Sequence, residues 1–263
     1  MSTAPRYLIG VMAAMALAAC EININDVDRD LAFEVAEAFS YQVDATTQVQ
    51  LRLENINGTV QIVGDPSASV ALVRGERIVG SDSRSDAQRY LNRVTVDVDV
   101  QGDQIVVRTR QPNDSDGRRV VVDYDVIIPA DMDVRVFNIN GEVEVEDFDS
   151  DVDVENTNGI VRVLDIHGDV EVDLVNGNII GDISPPPNCY VDFAVVNGGI
   201  TLDLPFSVSA ILEADVTNGG INLIGLSVVD ATTTNRSLHG KLGGGNGLID
   251  LQTVNGTITI RGR

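Results

Sequence analysis

The chain has 263 residues, 43% of them hydrophobic, with a formal net charge of −22 and an isoelectric point near 4.2. This length is sufficient for a buried core, and the apolar fraction argues against intrinsic disorder despite the charge. The acidity argues against nucleic acid as a partner, because phosphate binding needs a basic surface, and against electrostatic docking on anionic lipid.

The N-terminus has the pattern of a bacterial lipoprotein signal. Arg6 precedes an apolar run from Tyr7 to Ala19, which is shorter than the roughly 20 residues that a membrane-spanning helix needs. The run ends Leu17-Ala18-Ala19-Cys20, which looks like a lipobox, where the cysteine is acylated. We therefore predict a signal peptide over residues 1–19 and a membrane anchor through lipid on Cys20. The alternative is an ordinary signal peptide that contains a cysteine.

The segment after the lipobox is acidic. Glu21 follows the cysteine, in place of the aspartate associated with inner-membrane retention in enteric bacteria, so the outer membrane is the expected location. Residues 20–45 are interpreted as a lipidated acidic tether, with an edge strand as the alternative for part of it. With Cys20 acylated, Cys189 has no partner within the chain, so no disulfide is expected and a packed structural role is favoured for this thiol.

Residues 46–128 show strand patterns interrupted by one helical segment. Strands flank the pair Asn57-Gly58, and two more flank the turn Gly102-Asp103. A short helix is predicted over residues 86–93, with Ser85 as its N-cap. We expect this part of the chain to cap one end of the repeats that follow.

Asn-Gly pairs are the strongest signal in the chain. From Asn140 to Asn218 they are spaced 18, 18, 21 and 21 residues apart. Two and four positions after each glycine the residue is aliphatic with a single exception, and the position between is polar, again with one exception. This alternation predicts a strand with one buried face after each pair. Asn and Gly tolerate positive φ, so the predicted corners are Gly58, Gly141, Gly159, Gly177, Gly198, Gly219, Gly247 and Gly256.

A second corner half a period later completes the repeat, as at Asp149-Ser150 and His167-Gly168. The pattern favours an all-β solenoid with coils of about 18 residues, in which equivalent asparagines stack and share amide hydrogen bonds. The alternative is an antiparallel β-sandwich or meander with type I′ turns. Residues 129–263 would hold roughly seven coils, in one β-repeat domain over 46–263.

The ordered set of motifs resembles a known family. It comprises Asn55-Ile56-Asn57-Gly58, the helical insert, the hairpin from Gly102 to Val107, a strand ending at Pro129 and units such as Asn138 to Val145. This set, over about residues 45–263, resembles the DUF4097 family of bacterial envelope proteins, whose members are called "putative adhesins". The resemblance implies a right-handed β-solenoid-like fold and a cell-envelope location, and it implies no activity. The chain departs from the family pattern in the insert 227–245.

The sequence offers little for catalysis or metal binding. Gly244 to Asp250 comes near the calcium β-roll pattern, but its aspartate stands one residue late and the unit is not tandem. The two histidines, His167 and His239, lie in a corner and in the insert. No nucleophile motif, phosphate loop or metal-ligand spacing occurs. We therefore predict no catalytic residue, no metal and no cofactor.

The predicted function is that of a non-catalytic, lipid-anchored envelope protein, an adhesin-like binding or scaffold module with an unidentified protein or glycan partner. One alternative is a periplasmic sensory or envelope-stress partner protein, and a less favoured one is a glycan-active β-helix enzyme. The basic terminus Arg261-Gly262-Arg263 is expected to protect the far end of the stack.

Overall fold

The computed structural model describes residues 32–263. The predicted signal peptide (1–19) and Cys20 lie outside the described residues. The helix α1 spans Arg84–Leu91. The strands are β1 Phe33–Asp44, β2 Gln50–Glu54, β3 Val60–Asp65, β4 Val70–Ser81, β5 Thr95–Gln101, β6 Gln104–Arg110, β7 Arg119–Pro129, β8 Asp133–Asn140, β9 Val143–Phe148, β10 Val152–Ile166, β11 Val170–Asp182, β12 Tyr190–Asn197, β13 Ile200–Leu204, β14 Ala210–Ile224, β15 Val228–Thr233, β16 Ser237–Leu242 and β17 Gly247–Gly262.

Each coil consists of one strand segment before an Asn-Gly pair and one after it. Equivalent residues of neighbouring coils are parallel partners, as Val154 is of Val172 and Asn158 of Asn176. We call the segments before the pair the first sheet and those after it the second sheet. The parallel register confirms the predicted β-solenoid, and the antiparallel meander is wrong for the repeats.

The coils do not stack in chain order. Six of them come from residues 133–262, where roughly seven were expected, and one comes from residues 50–65, within the predicted cap. The C-terminal coil lies between β12–β13 and β14. At the other end β2–β3 lies between a layer made by β6 and β7 and the coil β8–β9. The stacking order is therefore β2–β3, β8–β9, β10, β11, β12–β13, β17, β14.

Aliphatic side chains at inward positions form one core along the stack. On β10, Val152, Val154, Val161 and Val163 are buried, and the residues that alternate with them point outward. Full burial of such a side chain is worth about 1.5–3 kcal/mol. The same alternation in each coil therefore holds the stack together while the acidic residues stay in water.

The second corner of the repeat lies where the spacing predicted it. β9 ends at Phe148 and β10 begins at Val152, and the following coil repeats this break between β10 and β11. Asp147 and Asp165, in equivalent positions, have φ of 65° and 51°. A Cβ on Gly168 would lie 2.2 Å from the backbone oxygen of Ser150, so the coils also approach closely at this corner.

The cap contains a strand where a tether was predicted. β1 (Phe33–Asp44) pairs antiparallel with β4 along its whole length, and β4 pairs antiparallel with β7. The tether predicted over residues 20–45 is therefore wrong for residues 33–44, and the alternative of an edge strand applies there. Val35 is buried and Phe39 packs edge-on against Tyr124 of β7, so apolar contacts hold this strand to the cap.

The helix begins earlier than the sequence indicated. Its N-cap is Ser83, which has extended backbone and accepts a hydrogen bond from the Asp86 amide, so Ser85 is not the cap. The Asp86 carboxylate accepts from Arg118 Nε at 2.6 Å and from Ser81 Oγ at 2.6 Å. These bonds, the one from Arg118 first, hold the pKa of Asp86 well below its usual range. The helix thus starts at a local N-cap, and the pairing of Asp86 with Arg118 holds its first turn against the rest of the chain.

The other end of the stack is closed by a hairpin on one side. The insert 227–245 forms β15 and β16, and β16 pairs antiparallel with the first half of β14. The expectation that residues 261–263 protect this end is wrong, because the second half of β17 lies between β13 and β14. Arg261 there forms an ion pair with Asp203, with Nε 2.6 Å from Oδ1.

We predict that Gly159→Val destabilises the fold by a few kcal/mol. Gly159 has φ of +139°, and a Cβ there would lie 2.0 Å from the backbone oxygen of Gly141. Glu144→Gln, on an outward position of β9, is expected to change stability by less than about 0.5 kcal/mol. Thermal melts of the two variants test this, and equal melting temperatures would show that the assigned register is wrong.

Candidate functional site

A chain of asparagine side chains runs along one edge of the stack. We call it the Asn ladder. Every member after Asn57 donates its amide Nδ2 to Oδ1 of the preceding coil in the stack at 2.7–2.9 Å. The ladder confirms the amide sharing that the repeat predicted. Its members in stacking order are Asn57, Asn140, Asn158, Asn176, Asn197, Asn255 and Asn218.

Seven of the predicted corner glycines follow a ladder asparagine. Six of them, Gly58, Gly141, Gly159, Gly177, Gly198 and Gly219, have φ between +131° and +151°. Gly256 keeps the register as the partner of Gly219 without such a φ.

The prediction of a corner at Gly247 is wrong. Gly247 begins β17 as the partner of Ala210, away from the ladder. A Cβ on Gly247 would lie 2.8 Å from Cys189 Sγ, so the glycine makes room for that buried thiol.

The residue before each ladder asparagine points outward and is β-branched. Four of these side chains lie 41–45% exposed on the surface, namely Ile139, Val175, Val196 and Val254. We call the whole set the aliphatic row. Its members in stacking order are Ile56, Ile139, Thr157, Val175, Val196, Val254 and Thr217. Val175, Val196 and Val254 lie on adjacent coils, whereas Thr157 separates them from Ile139. Exposed apolar side chains on adjacent coils are typical of a binding surface.

A groove of about 1030 Å³ runs beside the aliphatic row. Its other wall is the outward residue two positions earlier in each coil, which we call the polar row. The polar row consists of Glu54, Phe137, Glu155, Asp173, Ala194, Gln252 and Asp215. The groove thus spans all seven coils with one apolar wall and one wall rich in carboxylates.

Charge is compensated at the β2–β8 end of the groove. Glu54 lies 2.7 Å from Arg52 Nε and 2.9 Å from Arg108 Nε. Arg135 Nε lies 2.9 Å from Asp153 Oδ2, and Arg135 Nη2 lies 3.5 Å from Glu155 Oε1. Arg52 and Arg135 also lie over the ring of Phe137, with Cζ 4.2 and 5.0 Å from its centroid. These contacts fix the arginines, so this end presents ordered, nearly neutral side chains.

Carboxylates accumulate toward the β14 end. From β11 to β14 the outward positions of the first sheet near the groove carry Glu171, Asp173, Asp192, Asp250, Glu213 and Asp215. Burial, followed by repulsion from neighbouring carboxylates, raises the pKa of Glu171, Asp173 and Asp250. Nε2 of His239, on β16, lies 3.2 Å from Oδ2 of Asp215. This end of the groove is therefore strongly acidic.

The remaining candidate side chains form no reactive centre. His167 lies at a corner, with Nδ1 3.4 Å from Asp149. Cys189 is a free buried thiol, and burial raises its pKa. Within residues 32–263, no group of three or more His, Cys, Asp or Glu is placed to hold a metal ion. In that same range no helix has the length and apolarity needed to cross a membrane.

The aliphatic row was not identified from the sequence. Its signal is a β-branched residue directly before each ladder asparagine. In an alternating strand the outward residues face water, so the pattern of buried residues gives this position no role. The apolar character of Ile139, Val175, Val196 and Val254 at an outward position is the feature that could have shown the groove.

We predict that Glu171→Gln raises the melting temperature at pH 7. A carboxyl whose pKa is higher in the folded than in the unfolded chain destabilises the fold at neutral pH. That penalty disappears as the pH falls through the raised pKa to the unfolded value of about 4. The gain from Glu171→Gln should be below about 1 kcal/mol for a partly exposed group and should vanish near pH 4.

The control for this measurement is Glu142→Gln. Glu142 pairs with Arg162, so removing its charge should not stabilise the protein. Melting curves at pH 7 and at about pH 4 compare the two variants with the parent chain. A stabilisation by Glu171→Gln that persists unchanged at the lower pH would contradict the prediction.

Comparison with known proteins gives a family for the chain. The chain is similar over 87% of its length to a solved "putative cell adhesion protein" from Clostridium sporogenes, covering all of that chain at 14% identity with a TM-score of 0.49. It is similar over 86% of its length to a "putative adhesin" from Bacteroides fragilis, covering 97% of that chain at 9% identity with a TM-score of 0.22. No curated protein matches the chain. The family model described as Toastrack DUF4097 matches residues 91–261, and the chain therefore belongs to this family.

Proposed function

We propose that the protein is a non-catalytic binding module of the bacterial cell envelope, anchored by lipid on Cys20, which holds an extended partner in the groove. The observation that carries this proposal is the aliphatic row, in which Val175, Val196 and Val254 lie 41–42% exposed on three adjacent coils. Exposed apolar side chains on adjacent coils are typical of an interaction surface. Because the groove extends across the stacked coils, it suits an elongated ligand.

The charge of the groove defines the partner further. The six carboxylates between β11 and β14 favour basic groups and repel anionic polymers. This distribution also weighs against the alternative of an enzyme acting on acidic glycans. Glycoside cleavage needs one carboxylate pair set apart by its environment, whereas the rows here repeat similar carboxylates in several coils.

The proposed anchor follows from Leu17-Ala18-Ala19-Cys20. Cys20→Ser should abolish fatty-acid labelling and leave unprocessed precursor, because the substituted side chain lacks the thiol that is acylated. Labelling of cells with a radioactive fatty acid, followed by gel analysis of the precipitated protein, measures both effects. Labelling that survives the substitution would exclude the lipoprotein assignment.

The face of the outer membrane on which the protein lies distinguishes the adhesin-like proposal from the periplasmic one. An adhesin-like module lies on the cell surface, so a protease added to whole cells should release it. A periplasmic sensory or scaffold protein should survive the same treatment and be cleaved only after the outer membrane is opened. The periplasmic alternative keeps the groove as its binding site and differs in which partner can reach it.

We predict that the groove binds a fluorescein-labelled peptide of alternating lysine and valine. Its valines can cover the aliphatic row and its lysines can approach the carboxylates. Replacing Val175 and Val196 together by serine should weaken binding at least about fivefold, because exposed apolar contacts are lost. Fluorescence anisotropy measures the affinity, which should also fall with added salt.

Two controls accompany this measurement. A glutamate–valine peptide should not bind, since its charges repel the groove. Val100→Ser removes a valine of similar exposure, 40%, from β5 and should leave the affinity unchanged. Equal binding of the two peptides, or no loss with the groove substitutions, would reject the proposed site.

A further inference from the structure

The Asn-Gly pairs of the ladder differ in how their glycine amides are held. Inside the stack the glycine N–H of one coil donates to the asparagine carbonyl oxygen of the next coil. This bond measures 2.9 Å from Gly141 to Asn158, and the same distance recurs for the amides of Gly58 and Gly198. A Cβ on any of these three glycines would instead meet a backbone oxygen on the preceding side of the stack. The N–H and the Cβ direction therefore face opposite neighbours.

Gly219, on the outermost coil β14, has the same geometry but no next coil. Its φ of +151° equals that of Gly198, and a Cβ there would lie 1.6 Å from the backbone oxygen of Gly256 in the preceding coil. The Gly219 N–H therefore points away from β17. Among residues 32–263, β16 pairs with β14 only as far as Asp215, and no strand pairs with the far edge of residues 219–224. The Gly219 N–H thus has no strand partner in that part of the chain.

The side chain of Asn218 is also held on one side only. Its Nδ2 donates to Oδ1 of Asn255 at 2.9 Å, and in the described part of the chain no further coil lies beyond it to donate to its own Oδ1. An interior amide such as that of Asn158 both donates to one neighbour and accepts from the other. Asn218 and Gly219 are exposed, so water reaches the pair.

We propose that Asn218 is a site of spontaneous covalent modification, deamidation through a succinimide. The backbone nitrogen of Gly219 attacks Cγ of Asn218 and forms an N–Cγ bond. The Cγ–Nδ2 bond breaks, the proton from the glycine nitrogen passes to Nδ2, and ammonia leaves. Water then opens the succinimide ring at either carbonyl and gives aspartate or isoaspartate. Glycine favours the attack because it has no side chain to hinder its nitrogen.

The place of a pair in the stack decides whether this attack occurs. The backbone must rotate to bring the glycine nitrogen onto the side chain of its own asparagine. In an interior coil this rotation breaks bonds to the coils on both sides, and the glycine N–H is already donated. Around Asn218 it breaks bonds to β17 alone, and segments with few partners open most easily.

The product cannot restore the end of the ladder. An aspartate at position 218 has an oxygen where Nδ2 faced Oδ1 of Asn255, and Nδ2 of Asn255 already donates to Asn197 at 2.8 Å. An isoaspartate also adds a backbone carbon between the two halves of β14, which disturbs their common register. The modification therefore weakens the pairing of residues 219–224 with β17.

The test is the deamidation rate of each Asn-Gly pair in the purified full-length protein, incubated in mildly alkaline buffer and then digested with pepsin. Mass spectrometry with electron-transfer fragmentation assigns each product to its residue and distinguishes aspartate from isoaspartate. The matched internal control is Asn158, which like Asn218 follows a threonine. We expect Asn218 to react at least about tenfold faster than Asn158 in the folded chain, and this difference to disappear when the chain is unfolded in urea.

Two further pairs separate the causes. Asn57 stands at the other end of the ladder, but the Gly58 N–H donates to Asn140 and β7 covers this coil. Asn246 lies outside the ladder, and the Gly247 N–H donates to the Ser209 oxygen at 3.0 Å. Both should react more slowly than Asn218 in the folded chain. Reaction that is as slow at Asn218 as at Asn158, or fastest at Asn57 or Asn246, overturns the proposal.

Discussion

The close approach of neighbouring coils at the Asn-Gly pairs is the constraint on which this structure depends. A Cβ on Gly177 or Gly198 would lie 1.6 or 1.5 Å from a backbone oxygen of the adjacent coil, far inside van der Waals contact. Glycine alone permits this approach, and the approach brings the preceding asparagine amides within 2.7–2.9 Å of one another. The ladder in turn fixes the register. A slip by one residue would break these bonds and turn each buried valine toward water.

The groove follows from the same register. The residue before each ladder asparagine points outward because its neighbours, such as Asn138 and Leu174, occupy the inward positions. This outward position makes no demand for an apolar side chain, since Thr157 and Thr217 occupy it in two coils without disturbing the ladder. Strand propensity accounts for a β-branched residue at this position, but it does not by itself select valine over threonine for Val175 and Val196, which are 41% and 42% exposed. The proposed partner would cover these two side chains, which is why the aliphatic row carries more weight than the acidic residues around it.

The sequence was sufficient to predict the coil but not the assembly of coils. Local alternation around Asn158 and Asn176 predicted the buried face, both corners and the amide ladder, because each depends on residues within one repeat. Gly247 shows the limit, since the same dipeptide occurs there beside Cys189 rather than on the ladder. The strand at residues 33–44 depends on β4, a partner farther along the chain, whereas the Ser83 N-cap is a local bond to the Asp86 amide that the sequence could have indicated. The groove could be inferred only once the outward residues of seven coils were known to be neighbours.

The order of the coils has consequences for folding that no single repeat contains. In a simple solenoid each new coil adds to the end of the stack, but here the last coil, β17, lies between β12–β13 and β14. The space for β17 must stay open, or reopen, until the end of the chain arrives, so the core near Leu202 and Leu212 is completed late. The coil β2–β3 is similarly enclosed between β6–β7 and β8–β9. Enclosing both ends of the repeat chain leaves β14 as the outermost coil, so among the described residues the outer edge of its second half has no strand partner, at a position that the chain order alone would assign to the interior.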